Sequence, residues 1–420
     1  MVVSKYEKLR LLGEGTFGVV SLARSTRTSE LVAVKKVRLG HYRDGVSVTA
    51  LREIKLLQEV RHPNVIHLVD VFASGGGTSL NLVLEYCLTD LEAIIRDRSL
   101  ILSPADVKGM MRMLLAGTAA LHDAWILHRD LKPGNVLLGC DGELKLADLG
   151  LAKTHAAAPD PGGMTHQVIT RWYRPPELLY AARAYGAAVD MWSIGCIFAE
   201  LLLRTPYMPG DSDLDQLAKI FAARGTPVAV PAAAGSGPGG VGVGREWPGL
   251  EALPEYIQFD PVPTPDHGRL FSAAGDDAVA LMDALLAFDP AGRISAADAL
   301  RHPYFSRGVP AVTAAELLAK VRTGSSVKEE DIIAAAAGAA GSGGEVGAPA
   351  AVTASKASAV IAVDASAAAP LDPTARAEVG APSSAGGVPQ PIGEKRRGES
   401  RRPPLPAKPG SGKKRRLDFS

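Results

Sequence analysis

A chain of 420 residues with 46% hydrophobic content can bury a substantial core and, on length, holds two or more lobes, so a small stapled domain is excluded. A formal net charge of +1 gives no overall pull towards nucleic acid or an anionic membrane, so any electrostatic partner has to be read from local clusters. Cys87, Cys140 and Cys196 stand far apart without metal-ligand spacing and read as reduced thiols of an intracellular protein. The first residues, Met1-Val2-Val3-Ser4-Lys5-Tyr6, lack an apolar signal core, and no apolar run approaches membrane-spanning length. The chain is therefore expected to be soluble and not secreted.

Residues 6–24 read as two β-strands around Gly13-Glu14-Gly15-Thr16-Phe17-Gly18, whose glycines let backbone N–H groups close over phosphates. The pattern alone is weak, because dinucleotide-binding folds open with the same letters. There the third glycine starts a helix, whereas here Val19-Val20-Ser21-Leu22 continues as strand. Val32-Ala33-Val34-Lys35 alternates as a further strand and ends in a lysine. A surface lysine is the plain reading, and its place behind a glycine-rich hairpin favours one that faces phosphates. Residues 49–60 carry apolar side chains at helical spacing, with Thr49 as N-cap and His62-Pro63 ending the helix. Strands are expected near 65–72 and 80–84. Glu85-Tyr86-Cys87-Leu88-Thr89-Asp90 then reads as a hinge between lobes whose backbone meets an adenine. A long helix over residues 103–122 opens at Ser103-Pro104, a cap followed by proline in the first turn.

Next comes His128-Arg129-Asp130-Leu131-Lys132-Pro133-Gly134-Asn135, followed by Asp148-Leu149-Gly150. A single Asp or Asn in a loop is more often a turn former than a ligand. Together, at this spacing, the stretch resembles the H-R-D-x-x-x-x-N catalytic loop and the D-F-G triplet of protein kinases. The resemblance implies an α+β, two-lobed fold: a small β-rich N-lobe over about residues 4–86 with one control helix, and a large, mainly helical C-lobe over about 87–306. It also implies roles. Asp130 is the catalytic base, with Lys132 and Thr170 beside it; Asn135 and Asp148 hold Mg2+. ATP lies under Leu12, Gly13, Glu14, Gly15, Thr16, Phe17, Gly18, Val19 and Val20, against Lys35 and its partner Glu53, and along Glu85, Cys87 and Asp90. Leu84 stands at the gatekeeper position, where the family more often has Phe. Leu149 also replaces a Phe, and is expected to fill the same apolar slot with altered packing.

Within the kinases the sequence is similar to the cyclin-dependent family. Leu39-Gly40-His41 and the helix after Thr49 look most like its CDK-activating branch, the kinase subunit of TFIIH and the plant D-type kinases. Ser47-Val48 stand where that branch usually has Asn-Arg. In Thr165-His166-Gln167-Val168-Ile169-Thr170-Arg171-Trp172-Tyr173-Arg174, Thr165 is the candidate phosphosite, with Arg52, Arg129 and Lys153 to gather its phosphate. Ile169 and Arg174 stand in the positions that form a pocket for a substrate proline. Thr-x-Tyr is absent, against a mitogen-activated kinase, and Ala158-Pro159 replaces the branch's second, Ser-Pro phosphosite. Phe17 stands where cell-cycle members carry an inhibitory Tyr. Pro175-Pro176-Glu177 departs slightly from A-P-E, and Glu177 is expected to pair with Arg293. Residues 189–202 are apolar around most of a helix and so buried, with Asp190 bonded to the catalytic-loop backbone.

Residues 228–244 form a Gly/Ala/Pro-rich insertion, expected to be an irregular surface loop. The kinase-like region ends near His302-Pro303-Tyr304-Phe305. Residues 313–321 are expected to form a short docked helix, and the low-complexity tail over 307–420 is otherwise too poor in large apolar groups to order itself. Between Lys395 and Arg416 lie ten Lys or Arg against Glu399, in short clusters that read as nuclear import signals over a plain solubilising tail. The expected function is ATP-dependent Ser/Thr phosphotransfer to the activation segment of other CDKs and to the RNA polymerase II repeats. The resemblance implies a cyclin H-like cyclin, a RING-finger assembly factor and TFIIH as partners, with no direct nucleic acid and no membrane. The nucleus is the expected compartment and the cytoplasm a second one. Two alternatives stay open: a cyclin-bound pseudokinase scaffold, and a CDK with a different cyclin and narrower substrates.

Overall fold

The computed structural model describes residues 5–15, 18–38, 48–74, 79–154, 164–230 and 245–324. The glycine-rich segment is a strand-loop-strand, β1 (Tyr6–Gly15) antiparallel to β2 (Gly18–Ser25), with Gly15 opposite Gly18. Gly18 has φ +142, and a Cβ there would lie 2.1 Å from the Lys36 carbonyl oxygen, so only glycine fits the close approach of the next strand. Thr16 and Phe17 lie outside the described residues. With β3 (Leu31–Arg38), and after α1 (Val48–Glu59), β4 (Leu68–Ser74) and β5 (Ser79–Glu85) complete a sheet of order β1-β2-β3-β5-β4 in which every neighbour is antiparallel. Helix α1 begins one residue before Thr49, so the expected Thr49 cap is corrected: Thr49 lies inside the first turn. Residues 39–47, with Leu39, Gly40, His41 and Ser47, lie outside the described residues.

The expected hinge leads into β6 (Cys87–Asp90) and α2 (Leu91–Arg96), and then α3 (Pro104–Asp123). The sequence signal at Ser103 is a full capping box: Ser103 Oγ accepts from Asp106 N, and Asp106 Oδ2 accepts from Ser103 N at 2.6 Å. After β7 (Ile126–Leu127), strands β8 (Val136–Gly139) and β9 (Leu144–Leu146) pair with β6, and β10 (Lys153–Thr154) pairs with β7. These short strands fix the two ends of the catalytic stretch. The rest is helical: α4 (Pro176–Leu179), α5 (Ala188–Leu203) and α6 (Asp213–Arg224), then α7 (His267–Leu270), α8 (Asp276–Leu285), α9 (Ala296–Leu300), α10 (Pro303–Ser306) and α11 (Ala314–Gly324).

The main core runs through α3, α5 and α8 and reaches up to Leu56 and Leu57 of α1, so the site rests on one packed body. Glu177 and Arg293 form the expected ion pair, doubly hydrogen-bonded at 2.8 and 3.1 Å and buried, with Arg293 also donating to the Ala188, Ala287 and Phe288 carbonyls. Helix α11 docks Leu317 and Val321 on this core, and Thr313 and Glu316 box its N-terminus. The expectation of an irregular loop from residue 228 is corrected: Val228–Val230 is strand β11, parallel to β12 (Glu246–Pro248). The β-branched Val228 and Val230 outweigh the small-residue composition there, while 231–244 lie outside the described residues. Among the described residues no helix is long and apolar enough to cross a membrane.

Candidate active site

Asp190 organises the site from below. Fully buried on α5, it accepts from the backbone N–H of His128 and of Arg129, each at 2.9 Å, and from His122 Nε2 at 2.9 Å. Burial alone would raise its pKa; the hydrogen bond and charge of His122 with the loop amides outweigh that and hold the carboxyl below its ordinary range. His128 Nε2 in turn meets the Ala147 carbonyl at 3.0 Å, which ties the loop to the strand end that carries Asp148.

On this support Asp130 faces Thr170. Its Oδ1 accepts from Thr170 Oγ1 at 2.9 Å and Thr170 N at 3.1 Å, and its Oδ2 accepts from Asn135 Nδ2 at 2.9 Å. Lys132 Nζ donates to Thr170 Oγ1 at 3.1 Å and lies 3.3 Å from Asp130 Oδ2. The three residues thus form one hydrogen-bonded cluster around a carboxylate that can accept a hydroxyl proton. Asn135 spends Nδ2 on the side chain and backbone of Asp130, which leaves its amide oxygen as donor atom towards a ligand.

Lys35 joins the two lobes. Its Nζ donates to both Glu53 oxygens, at 2.8 and 3.1 Å, and to Asp148 Oδ1 at 3.0 Å. Burial would lower the lysine pKa, but Glu53 and Asp148 more than offset it, so the ammonium stays charged. Burial likewise pushes Asp148 up, and Lys35 pulls it back below its ordinary value. Asp148 stands in left-handed backbone, φ +62, followed by a fully buried Leu149 that packs in the core shared with α1. Asn135 and Asp148 offer hard oxygens only, a donor set that suits an octahedral cation completing its shell with phosphate and water. Among the described residues no group of three or more His, Cys, Asp or Glu could make a metal cage of protein alone.

Of the expected nucleotide contacts, Leu12, Gly13, Glu14, Gly15, Gly18, Val19 and Val20 lie on the hairpin above Lys35, and Cys87 is buried at the start of β6. Leu84 is half-buried on β5 opposite Ala33. Two side chains have further tasks. Glu85 Oε1 accepts from His67 N and its Oε2 pairs with Lys145. Asp90 caps α2 by accepting from Ala93 N at 2.7 Å, and burial pushes its pKa up to about 7. The Asp90 carboxylate is engaged as a cap, a task the hinge reading did not foresee.

Thr165 is exposed, and its carbonyl accepts from Tyr185 Oη at 2.6 Å, which in turn accepts from Arg129 Nη1 at 3.1 Å. Arg129 therefore reaches the segment through Tyr185, while its Nε donates to the Leu151 carbonyl. Arg52 and Lys153 are half-buried on α1 and β10. Ile169 has φ +67, and its carbonyl accepts from Arg174 Nη2 at 3.0 Å and Nε at 3.2 Å. Tyr185, Asp213 and Glu200 were absent from the sequence reading. Asp213 takes Arg174 Nη1 at 3.2 Å, and Glu200, pushed up to about 7 by burial, accepts from Tyr173 Oη at 2.7 Å. No local pattern marks them, because their partners lie ten to forty residues away.

Comparison with known proteins agrees with this geometry. The protein kinase domain model matches residues 6–305. Cyclin-dependent kinase 7 of Xenopus laevis is 51% identical over 319 residues, covering 75% of this chain and 84% of the relative. Cyclin-dependent kinase D-1 of Oryza sativa subsp. japonica is 50% identical over 312 residues, 74% of this chain and 69% of the relative. A chain in the structure of the CAK complex from Chaetomium thermophilum bound to ATP-gamma-S superposes with TM-score 0.66 at 42% identity, covering 74% of this chain and 94% of that one.

Proposed function

The chain belongs to the protein kinase family, in its cyclin-dependent, CDK-activating branch, and from that premise we propose how its residues divide the transfer of the ATP γ-phosphoryl group to serine or threonine. The substrate hydroxyl is oriented by Asp130, which receives its proton as the oxygen bonds to phosphorus and ADP leaves. Lys132, held by Thr170 and Asp130, meets the charge that builds on the phosphate oxygens. Lys35 holds the α- and β-phosphates, and Glu53 with Asp148 keeps its ammonium in place. Asn135 and Asp148 would hold Mg2+, whose chemistry when bound is to bridge and neutralise phosphate oxygens. The carrying observation is that both clusters, Lys35–Glu53–Asp148 and Asp130–Thr170–Lys132, are complete. A pseudokinase scaffold has no use for either.

The partners proposed are a cyclin H-like cyclin on α1, and with it a RING-finger assembly factor and TFIIH; the names of the relatives support the cyclin. The substrates proposed are other CDKs, through the activation segment, and the polymerase tail. Proline preference follows from Arg174: with the Ile169 carbonyl occupied, the N–H after the phosphoacceptor has no acceptor, and proline has none to strand. The test offers the full chain, purified with its cyclin, three substrates: a polymerase-tail repeat peptide, that peptide with Pro changed to Ala, and an intact unphosphorylated CDK. Transfer to the first and third is expected. Equal rates on the two peptides overturn proline direction, silence on the intact CDK overturns the activating role, and near-normal turnover by Asp130→Asn overturns the mechanism. The nucleus is the proposed compartment, from the basic clusters of residues 395–416. A fluorescent fusion lacking 395–420 that still accumulates there would return them to a solubilising role.

A further inference from the structure

Three side chains of the substrate-reading segment end on one turn at the start of α6. Arg171 Nη1 donates to the Asp211 carbonyl at 3.0 Å, Trp172 Nε1 to the Gly210 carbonyl at 3.2 Å, and Arg171 Nε and Arg174 Nη1 converge on Asp213 Oδ1 at 3.0 and 3.2 Å. The turn is firmly built. Gln216, fully buried, accepts from Gly210 N at 3.0 Å and donates to the Met208 carbonyl at 2.8 Å. Ser212 Oγ accepts from Asp215 N, and Asp215 Oδ2 accepts from Asp211 N at 2.9 Å. A Cβ at Gly210 would stand 2.5 Å from Gln216 Cα, so the chain is pressed against its own helix. Asp213 is thus presented from a fixed support.

The Arg174 guanidinium is divided between two tasks. Nε and Nη2 face the Val168 and Ile169 carbonyls, and Nη1 faces Asp213, the carboxylate that pairs with it among the described residues. Ile169 is β-branched at φ +67, a conformation that costs on the order of 1 to 3 kcal/mol and persists only while its surroundings enforce it. If the guanidinium swings, the peptide after Ile169 can turn and present its carbonyl to the N–H of a non-proline substrate. We propose that Asp213 is a positioning residue for substrate choice: by holding Arg174 against the Ile169 carbonyl, it sets how strongly proline is required after the phosphoacceptor. The inference rests on the proline-directed reading given above.

The test compares kcat and KM of the full chain, purified with its cyclin, on the Ser-Pro repeat peptide and its Ser-Ala counterpart, for the parent, Asp213→Ala and Asp213→Glu. Asp213→Ala is expected to raise kcat/KM on the Ser-Ala peptide and narrow the Pro/Ala ratio about three- to tenfold, the reach of one charge-assisted hydrogen bond. Asp213→Glu is expected to restore part of the ratio. A loss of rate on both peptides together, with the ratio unchanged, means that Asp213 only supports the fold and overturns the inference. If the parent does not distinguish the peptides, the proline-directed reading fails and takes this one with it. Should Asp213→Ala lose its thermal unfolding transition, Asp213→Asn keeps the shape, removes the charge, and carries the same comparison.

Discussion

Arg129, Asp148 and Ile169 stand in left-handed backbone without being glycine, and each sits where the site needs an atom turned against the run of the chain. Asp90 and Glu200 add titration to this neighbourhood, since burial pushes both up to about 7. A carboxyl whose folded pKa lies above its unfolded one binds protons better when folded. Its contribution is complete below pH about 4 and is lost as pH rises through about 7. Stability should therefore decline between pH 5 and 8. Asp90→Asn, which keeps a capping side chain without a titrating group, should remove on the order of 2 to 4 kcal/mol of that decline. Urea midpoints across that range check it, and a variant with the parent's slope would refute it. At this scale the sequence was most informative where spacing is fixed along the chain, as for Asp130, Asn135 and Asp148. Tyr185, Asp213 and Glu200 find their roles only through partners that the tertiary fold brings to them.

Helix α1 shows both sides of what a pattern can say. Its period placed Glu53, Leu56 and Leu57 inward, and all three are buried, with Glu53 on Lys35. Leu51, on the other side, is 51% exposed. An apolar residue exposed there is the natural seat of the proposed cyclin, so Leu51→Asp should reduce co-purification of the partner at least tenfold while the thermal midpoint of the isolated chain stays put. Full recovery of the partner would move the interface elsewhere. The boundaries were less legible. The helix starts before Thr49, and Val228–Val230 pairs as strand although its neighbours are small and flexible in composition, because strand pairing is decided by what lies alongside.

Across the whole molecule, the two-lobed order of strands and helices was readable because each lobe's motifs come at characteristic separations, while the packing that joins them was not. Arg293 and Glu177 are an exception: the sequence paired them over more than a hundred residues, and the pair is buried. Arg293→Ala should destabilise the fold by about 3 to 5 kcal/mol, since it strands the Glu177 carboxylate and empties three carbonyls of their donor. A calorimetric midpoint within a degree of the parent would show the pair to be dispensable. The parallel pair β11–β12 has a different consequence. Val230 and Arg245 are both anchored, one in the ladder and the other by its guanidinium on the Thr226 carbonyl, with Trp247 beneath against Phe288. Closure entropy grows only with the logarithm of length, so doubling the 231–244 stretch costs about 0.6 kcal/mol. That makes it a graft point: an epitope or fluorescent reporter spliced there should be carried without loss of phosphotransfer, giving a handle on the enzyme that leaves both chain termini untouched.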